Sequence, residues 1–447
     1  MSHKTRQADR RSDIARILLA NAIVPAIEFD WRKPMQTRRV INKTKWLASA
    51  LAAPILFASS ASAQSDAQAA QAPSAEQAWP DEENRNFVQD RLKTFPRKLL
   101  VKQVEWYQPQ EPVAGGNAKP IEPIAEPTIP AATLDAAQKL VEDKDSYAFL
   151  IWRRGNLEHE YYAPGSQRSS RFATASMAKT VVALSLGVAI DQGKIGSAQD
   201  RVDKYISTTA NTKRGAVPLR NYLEMASLFE TPSAGGPDAD IYWQYALGRN
   251  IGEAVARWPE TCDLSNEFCY ANSNTAMLGW ALEGATGMRY SQWLSQSIWQ
   301  PIGAGDGRLW IDREGGWPRY SCCLHASGQD WLRIGMLIAN KGKFEGRQIV
   351  SEQWIEQMLA PSSANPNYGF QIWRGSPHNP SRKYGKSVNA VVPAAEPFAR
   401  DDVYYLDGSA GQRVYIIPSE EMVIVRIGAP RFDWDDAELP NIILRGL

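Results

Sequence analysis

The stretch 176–193 reads SMAKTVVALSLGVAIDQG, and it carries Val181, Val182, Ala183, Leu184, Leu186, Val188, Ala189 and Ile190. At 3.6 residues per turn these positions leave a helix apolar on nearly every side, with no polar face to offer water. Such a helix must be enclosed by other elements, and Gly193 supplies its stop. The chain has the material to enclose it: 447 residues, 44% hydrophobic, with 16 Trp. That is enough for one large enzyme domain or for two or three smaller ones. Charge is nearly balanced, 50 Lys+Arg against 49 Asp+Glu, so nothing argues for nucleic acid or an anionic membrane surface as partner.

The rest of the pattern suggests what does the enclosing. AATLDAAQKLVEDKD, from Ala131, reads as a helix, and SYAFLIWRRGNLEHEYYAP as a hairpin turning at Arg154-Gly155-Asn156. Residues 200–260 read as helices and long loops, 274–303 as two helices broken at Gly287, and 327–359 as two more. DDVYYLDGSAGQRVYIIPSEEMVIVRIGA reads as two or three strands, and DDAELPNIILRGL as a short terminal helix. Strands at both ends with helices between predict an α/β plus all-α fold: an antiparallel sheet flanked by helices, with an inserted helical region. The expected division is an N-terminal extension and signal peptide over 1–63, a linker and extended Pro-rich arm over 64–130, and the main domain over 131–447.

The front end reads as an export signal. Arg38, Arg39, Lys43 and Lys45 form a basic region, residues 46–60 a short apolar one, and Ala61-Ser62-Ala63 a cleavage site before Gln64. The apolar part is too short to span a membrane. The expectation is a periplasmic or secreted protein, with Met35 as the true start and no stable membrane span after cleavage. An oxidising compartment favours disulfides among Cys262, Cys269, Cys322 and Cys323. Either Cys262–Cys269 or a bridge from that segment to the Cys322-Cys323 pair is expected, because adjacent cysteines bonded to each other would be strained. The spacing is not that of a metal site, and after cleavage only His159, His325 and His378 remain.

Ser176 and Lys179 open the apolar run. Three residues apart on a helix, their side chains share a face. A desolvated lysine loses its proton more easily and can then activate a serine hydroxyl. The helix N-terminus favours an oxyanion nearby. S-x-x-K occurs once in the chain, yet an N-cap serine followed by a surface lysine would read the same. Tyr270-Ala271-Asn272, the one Y-x-N, tips the reading toward catalysis. A tyrosine between nucleophile and lysine can pass a proton to a leaving group, and the asparagine can bind an amide.

On SMAK, on YAN with its trailing SNTAMLGWALEGATG, and on GQDWLRIGMLIANKGKFEGRQIVSEQWIEQM and GSAGQRVYIIPSEEMVIVRIG, the chain resembles the serine β-lactamase-like hydrolases. These are the class C β-lactamases and penicillin-binding proteins, and the likeness covers roughly residues 133–430. AFLIWRRGNLEHEYYAP, SLGVAIDQGKI and the run 408–419 look most like the branch of 6-aminohexanoate-dimer hydrolases and related esterases. The resemblance implies a β-lactamase/transpeptidase-like fold with no cofactor. It implies that Ser176 is acylated, Lys179 is general base, Tyr270 passes the proton and Asn272 lines the pocket. The oxyanion would be held by the N–H of Ser176 and one near Gly408 or Ser409. One departure is plain: penicillin-recognising relatives carry Lys-Thr-Gly or His-Thr-Gly on the strand beside the nucleophile, and here the strand reads Leu406-Asp407-Gly408-Ser409. Asp407 would repel a β-lactam carboxylate if it faced the site, which favours a small linear amide or ester over a β-lactam or a D-Ala-D-Ala wall peptide. No G-x-S-x-G elbow, P-loop or dinucleotide fingerprint is present. Asp203, Glu230, Asp238 and Asp240 read as solvated loop acids or cleft liners, and Tyr242, Trp243 and Tyr245 as pocket wall or core.

Overall fold

The computed structural model describes residues 79–447 apart from 97–99, 118, 386–387 and 389; the signal segment and its cleavage site lie outside the described residues. The helices are α1 (Glu82–Thr94), α2 (Ala131–Asp143), α3 (Ala178–Asp191), α4 (Leu219–Leu223), α5 (Ala239–Leu247), α6 (Ile251–Ala256), α7 (Asn272–Thr286), α8 (Tyr290–Leu294), α9 (Gly328–Ala339), α10 (Glu352–Leu359) and α11 (Glu438–Arg445). The strands are β1 (Gln110–Val113), β2 (Ser146–Arg153), β3 (Asn156–Tyr162), β4 (Phe172–Ala173), β5 (Gly307–Trp310), β6 (Leu324–Ala326), β7 (Lys343–Phe344), β8 (Arg347–Gln348), β9 (Trp373–Arg374), β10 (Ser381–Lys383), β11 (Val391–Pro393), β12 (Tyr404–Gly408), β13 (Gln412–Ile417) and β14 (Met422–Gly428).

The main sheet has the order β3-β2-β14-β13-β12-β9 and is antiparallel throughout. It is built from the two ends of the folded chain, as the sequence pattern predicts. The hairpin turn sits at Arg154 and Gly155, both at positive φ (46° and 87°), the backbone that suits the twist of a two-residue connection. Successive side chains of a strand point to opposite faces, and here both faces are covered. Ala148, Leu150, Val414 and Val423 face α9 and the helical region behind it. Phe149, Ile151, Tyr415 and Ile424 face α2 and α11, through Leu134, Val141, Leu439 and Ile443. That two-sided cover is why β2 is apolar along its length instead of alternating.

Helix α3 is enclosed as its composition demands: every residue from Ala178 to Ala189 is buried. Helix α7 packs along it. The indole N–H groups of Trp293 and Trp354 donate to the carbonyls of Ser185 (3.2 Å) and Ala183 (3.0 Å), so even its backbone is in contact with side chains.

Part of the stretch expected as an extended arm is regular and packed. Asp81 accepts from the Asn84 N–H at 2.8 Å and starts α1, whose acids Glu82 and Glu83 and bases Arg91 and Lys93 lie at the matching ends of the helix dipole. Helix α1 lies on α5, and β1 forms an edge of a second sheet ordered β1-β5-β6-β4.

The cysteines correct one expectation. Cys262 joins Cys269, but Cys322 joins its neighbour Cys323. No bridge crosses between the segments. The backbone at Cys323 adopts the left-handed region (φ +70°) beside this bond between neighbours, whose α-carbons lie 3.7 Å apart as across any trans peptide. Glu267 lies beside Cys262 and Cys269, but sulfurs tied in a disulfide offer no thiolate to a metal.

Candidate active site

Ser176 sits in the 3₁₀ turn Ala175–Met177 just ahead of α3, so it is not the helix N-cap; Met177 is, and without a side-chain cap. Ala175 holds φ +52°, an uncommon backbone for a residue with a Cβ. β12 comes against this turn at Gly408. A Cβ on Gly408 would lie 2.2 Å from the Thr174 carbonyl oxygen, so only glycine lets the strand approach this closely. Gly408 itself is buried and Ser409, just beyond it, borders the cleft.

Lys179 is 1% exposed, which removes the surface-lysine reading. Its Nζ lies 2.9 Å from Ser176 Oγ, 2.8 Å from Asn272 Oδ1 and 2.8 Å from the Ser321 carbonyl oxygen. Burial lowers its pKa from the ordinary lysine value to about 7, against the opposing pull of the Asp407 charge. A neutral amine has two N–H groups and one lone pair. The Asn272 and Ser321 oxygens can only accept, and they take both N–H groups. In this uncharged form the lone pair is free to accept the Ser176 proton, whereas the protonated amine donates to Ser176 Oγ instead.

Tyr270 ends the loop before α7, and its hydroxyl is hydrogen-bonded to Ser176. The Lys179 ammonium position lies 5.0 Å from its ring centre. Burial, then Asp407, push its phenol well above the usual range, so it is a proton donor at neutral pH. Its N–H donates to the Tyr384 carbonyl at 3.0 Å, and its ring packs among Phe268, Tyr368, Trp373 and Tyr384. The structure thus brings Ser176, Lys179, Tyr270 and Asn272 together, with Gly408 and Ser409 alongside.

These groups open on a cavity of about 200 Å³. Tyr242, Tyr245, Trp310 and the bonded Cys322–Cys323 pair form one part of its wall, and Val391, Phe432 and Trp434 another. Trp243 does not line it; its indole donates to the Ala234 carbonyl at 3.0 Å. None of Asp203, Glu230, Asp238 and Asp240 borders it either, and Asp203 and Asp240 pair with Arg201 and Arg85. Asp407 does border it, but not as a free charge: it is 5% exposed and lies between Arg382 and Arg413. The repulsion expected of it is therefore largely cancelled.

Sequence reasoning missed three participants. The Ser321 carbonyl reaches Lys179 across 142 residues, Tyr384 backs Tyr270, and Arg382 balances Asp407. A backbone carbonyl has no sequence signature, and the arginine and tyrosine lie in a stretch without regular periodicity.

A sequence-family model described as Beta-lactamase matches residues 135–427. The 6-aminohexanoate-dimer hydrolase of Paenarthrobacter ureafaciens is 28% identical over 269 residues, 55% of this chain and 65% of that protein, so the match spans just under two thirds of the relative's length. Among solved structures, a candidate 6-aminohexanoate-dimer hydrolase from Bacillus anthracis superposes with a TM-score of 0.61 at 21% identity, covering 78% of this chain and 92% of that one. EstCE1, a hydrolase with promiscuous acyltransferase activity, gives 0.52 at 16% identity, covering 71% and 97%. A penicillin-binding protein homologue from Caulobacter crescentus gives 0.53 at 15%, covering 72% and 99%. These structures share the fold, and the family match over residues 135–427 makes this protein a member of the β-lactamase family of serine hydrolases.

Proposed function

We propose that this protein is an exported serine amidase or esterase that cleaves a small linear amide or ester through an acyl-enzyme on Ser176. The supporting observation is the placement of Lys179: its buried Nζ lies 2.9 Å from Ser176 Oγ, with the Asn272 and Ser321 oxygens at 2.8 Å to hold its other N–H groups. Ser176 Oγ bonds to the substrate carbonyl carbon while its proton passes to Lys179 Nζ. Tyr270 gives its phenolic proton to the departing nitrogen or oxygen and is reprotonated from Lys179. Water then repeats the sequence: its proton goes to the same relay, its oxygen bonds to the acyl carbon, and Ser176 leaves with a proton restored. Backbone N–H groups at Ser176 and near Ser409 hold the developing oxyanion. Asn272, whose Oδ1 is engaged by Lys179, serves the base as much as the substrate. Metal and cofactor play no part in this scheme. The Paenarthrobacter relative is named as a hydrolase of the 6-aminohexanoate dimer, in keeping with a small amide substrate.

The test is turnover of a p-nitrophenyl acyl ester and a chromogenic cephalosporin by the purified protein, with Ser176→Ala as blank. Ester turnover that vanishes in the variant supports the proposal. Cephalosporin turnover as the faster activity moves the protein to the β-lactam side, and silence on both substrates and on small amides refutes the reading.

A further inference from the structure

Behind the catalytic groups lies a closed ring of four buried charges. Arg382 donates to Asp436 Oδ2 at 2.8 and 3.0 Å and to Asp407 Oδ2 at 3.1 Å. Arg413 donates to Asp436 Oδ1 at 2.7 and 2.8 Å and contacts Asp407 Oδ1 at 2.5 Å. None of the four is more than 5% exposed. Two cations and two anions sum to zero, the condition under which so many charges can be buried together. Burial would raise the Asp407 carboxyl, but Arg382 and Arg413 outweigh it and hold it below the usual range. Tyr384 also donates its hydroxyl to Asp407 Oδ2 at 2.6 Å, while its carbonyl accepts the Tyr270 N–H and its ring meets the Tyr270 ring edge-on at 5.1 Å.

The ring therefore touches the site at two points. Asp407 is the ionised group whose charge reaches both Lys179 and Tyr270. The other groups that face Lys179 carry no charge near neutral pH: Ser176 from the turn, Tyr270 and Asn272 at the head of α7, and the Ser321 carbonyl, with Tyr245 of α5 behind them. The Asp407 charge pulls against the burial that frees the Lys179 proton, so how far Asp407 is balanced bears on how readily Lys179 gives that proton up.

We infer that Arg382 is a positioning residue for the proposed reaction: it neutralises Asp407 so that Lys179 can lie uncharged beside Ser176, and through Asp407 and Tyr384 it seats Tyr270. This rests on the reading of Lys179 as base. The cation acts from β10, beyond the strand that carries Asp407, and touches no substrate.

Opposite substitutions should shift the pH dependence in opposite directions. Arg382→Gln leaves Asp407 under-balanced, so Lys179 holds its proton more tightly and the acid limb of kcat/KM moves up by about one pH unit. Asp407→Asn removes the anion and leaves the cations, so the limb moves down. Tyr384→Phe keeps the ring packing, is expected to fold, and should move the limb up by a smaller step. Circular dichroism and melting curves establish folding for each. Opposite displacements for Arg382→Gln and Asp407→Asn, or the upward step in Tyr384→Phe if either buried-charge variant fails to fold, support the inference. Unmoved limbs with only lower kcat or stability in folded variants overturn it and show a purely structural ring. A wild-type enzyme with no limb near neutrality would instead refute Lys179 as base, so the two failures are distinguishable.

Discussion

The ionisation of Lys179 gives the sharpest prediction. Burial brings it from 10.5 to about 7. Each pH unit corresponds to 1.36 kcal/mol, so the uncharged form is favoured by about 5 kcal/mol relative to a lysine in water. At pH 7 an ordinary lysine would be neutral in roughly one molecule in three thousand; here about half are. The competent fraction then falls tenfold per unit below the limb, to about a tenth at pH 6 and a hundredth at pH 5. The assay is kcat/KM for a p-nitrophenyl ester from pH 5 to 9.5, with the Ser176→Ala rate subtracted. A slope of one below a limb near 7 and a plateau above is expected. Lys179→Arg, which cannot release its proton in this range, should lose about 10²–10⁴ in rate. A plateau that continues down to pH 5 would mean a carboxylate is the base. A limb near 9 or 10 would mean that burial does not lower this lysine. Either result refutes Lys179 as a base made available by burial.

Stability should carry the same signature. The unfolded chain holds the Lys179 proton up to about 10.5 and the folded one only up to about 7, so stability rises with pH across that window. Urea titrations should show wild type gaining about 3 kcal/mol on Lys179→Met between pH 6 and 9; a constant difference would exclude the shift. Tyr270→Phe should cost about 10²–10⁴ in kcat on an anilide and much less on a p-nitrophenyl ester, whose leaving group departs without a proton; equal losses on both would deny Tyr270 that role. Gly408→Ala pushes a Cβ to 2.2 Å from the Thr174 oxygen, and should lower stability by about 1–3 kcal/mol and reduce kcat; a variant with wild-type melting and turnover would contradict that contact.

Much of this was legible because local sequence and final surroundings agree. The all-apolar run specified its own enclosure, and Ser176, Lys179 and Tyr270 were readable because side-chain chemistry has fixed types and spacings. What escaped depends on contacts between distant residues of ordinary appearance. Arg382, Asp407, Arg413 and Asp436 look like four scattered charges until the fold closes them into a ring. Asp407 was readable as a charge on the strand beside the site but not as a balanced one. Helix α1 was hidden by the prolines around it, and the pairing of Cys322 with Cys323 by a local backbone turn that no spacing rule anticipates.

The construction of the main sheet from both ends of the chain sets the order in which the protein can assemble. Arg153 pairs with Met422, so the strand emerging early waits for one made nearly 270 residues later. Closing so long a loop must come before its contacts can repay the cost, which makes folding slow and late. Until β13 and β14 arrive, the apolar side of α9 lacks most of the sheet it packs on, and β2 lacks its neighbour on one edge. The apolar β2 therefore stays unpaired on that edge through most of synthesis, and a truncation just before β12 leaves a chain holding Ser176, Lys179 and Tyr270 without the strand that closes the site at Gly408.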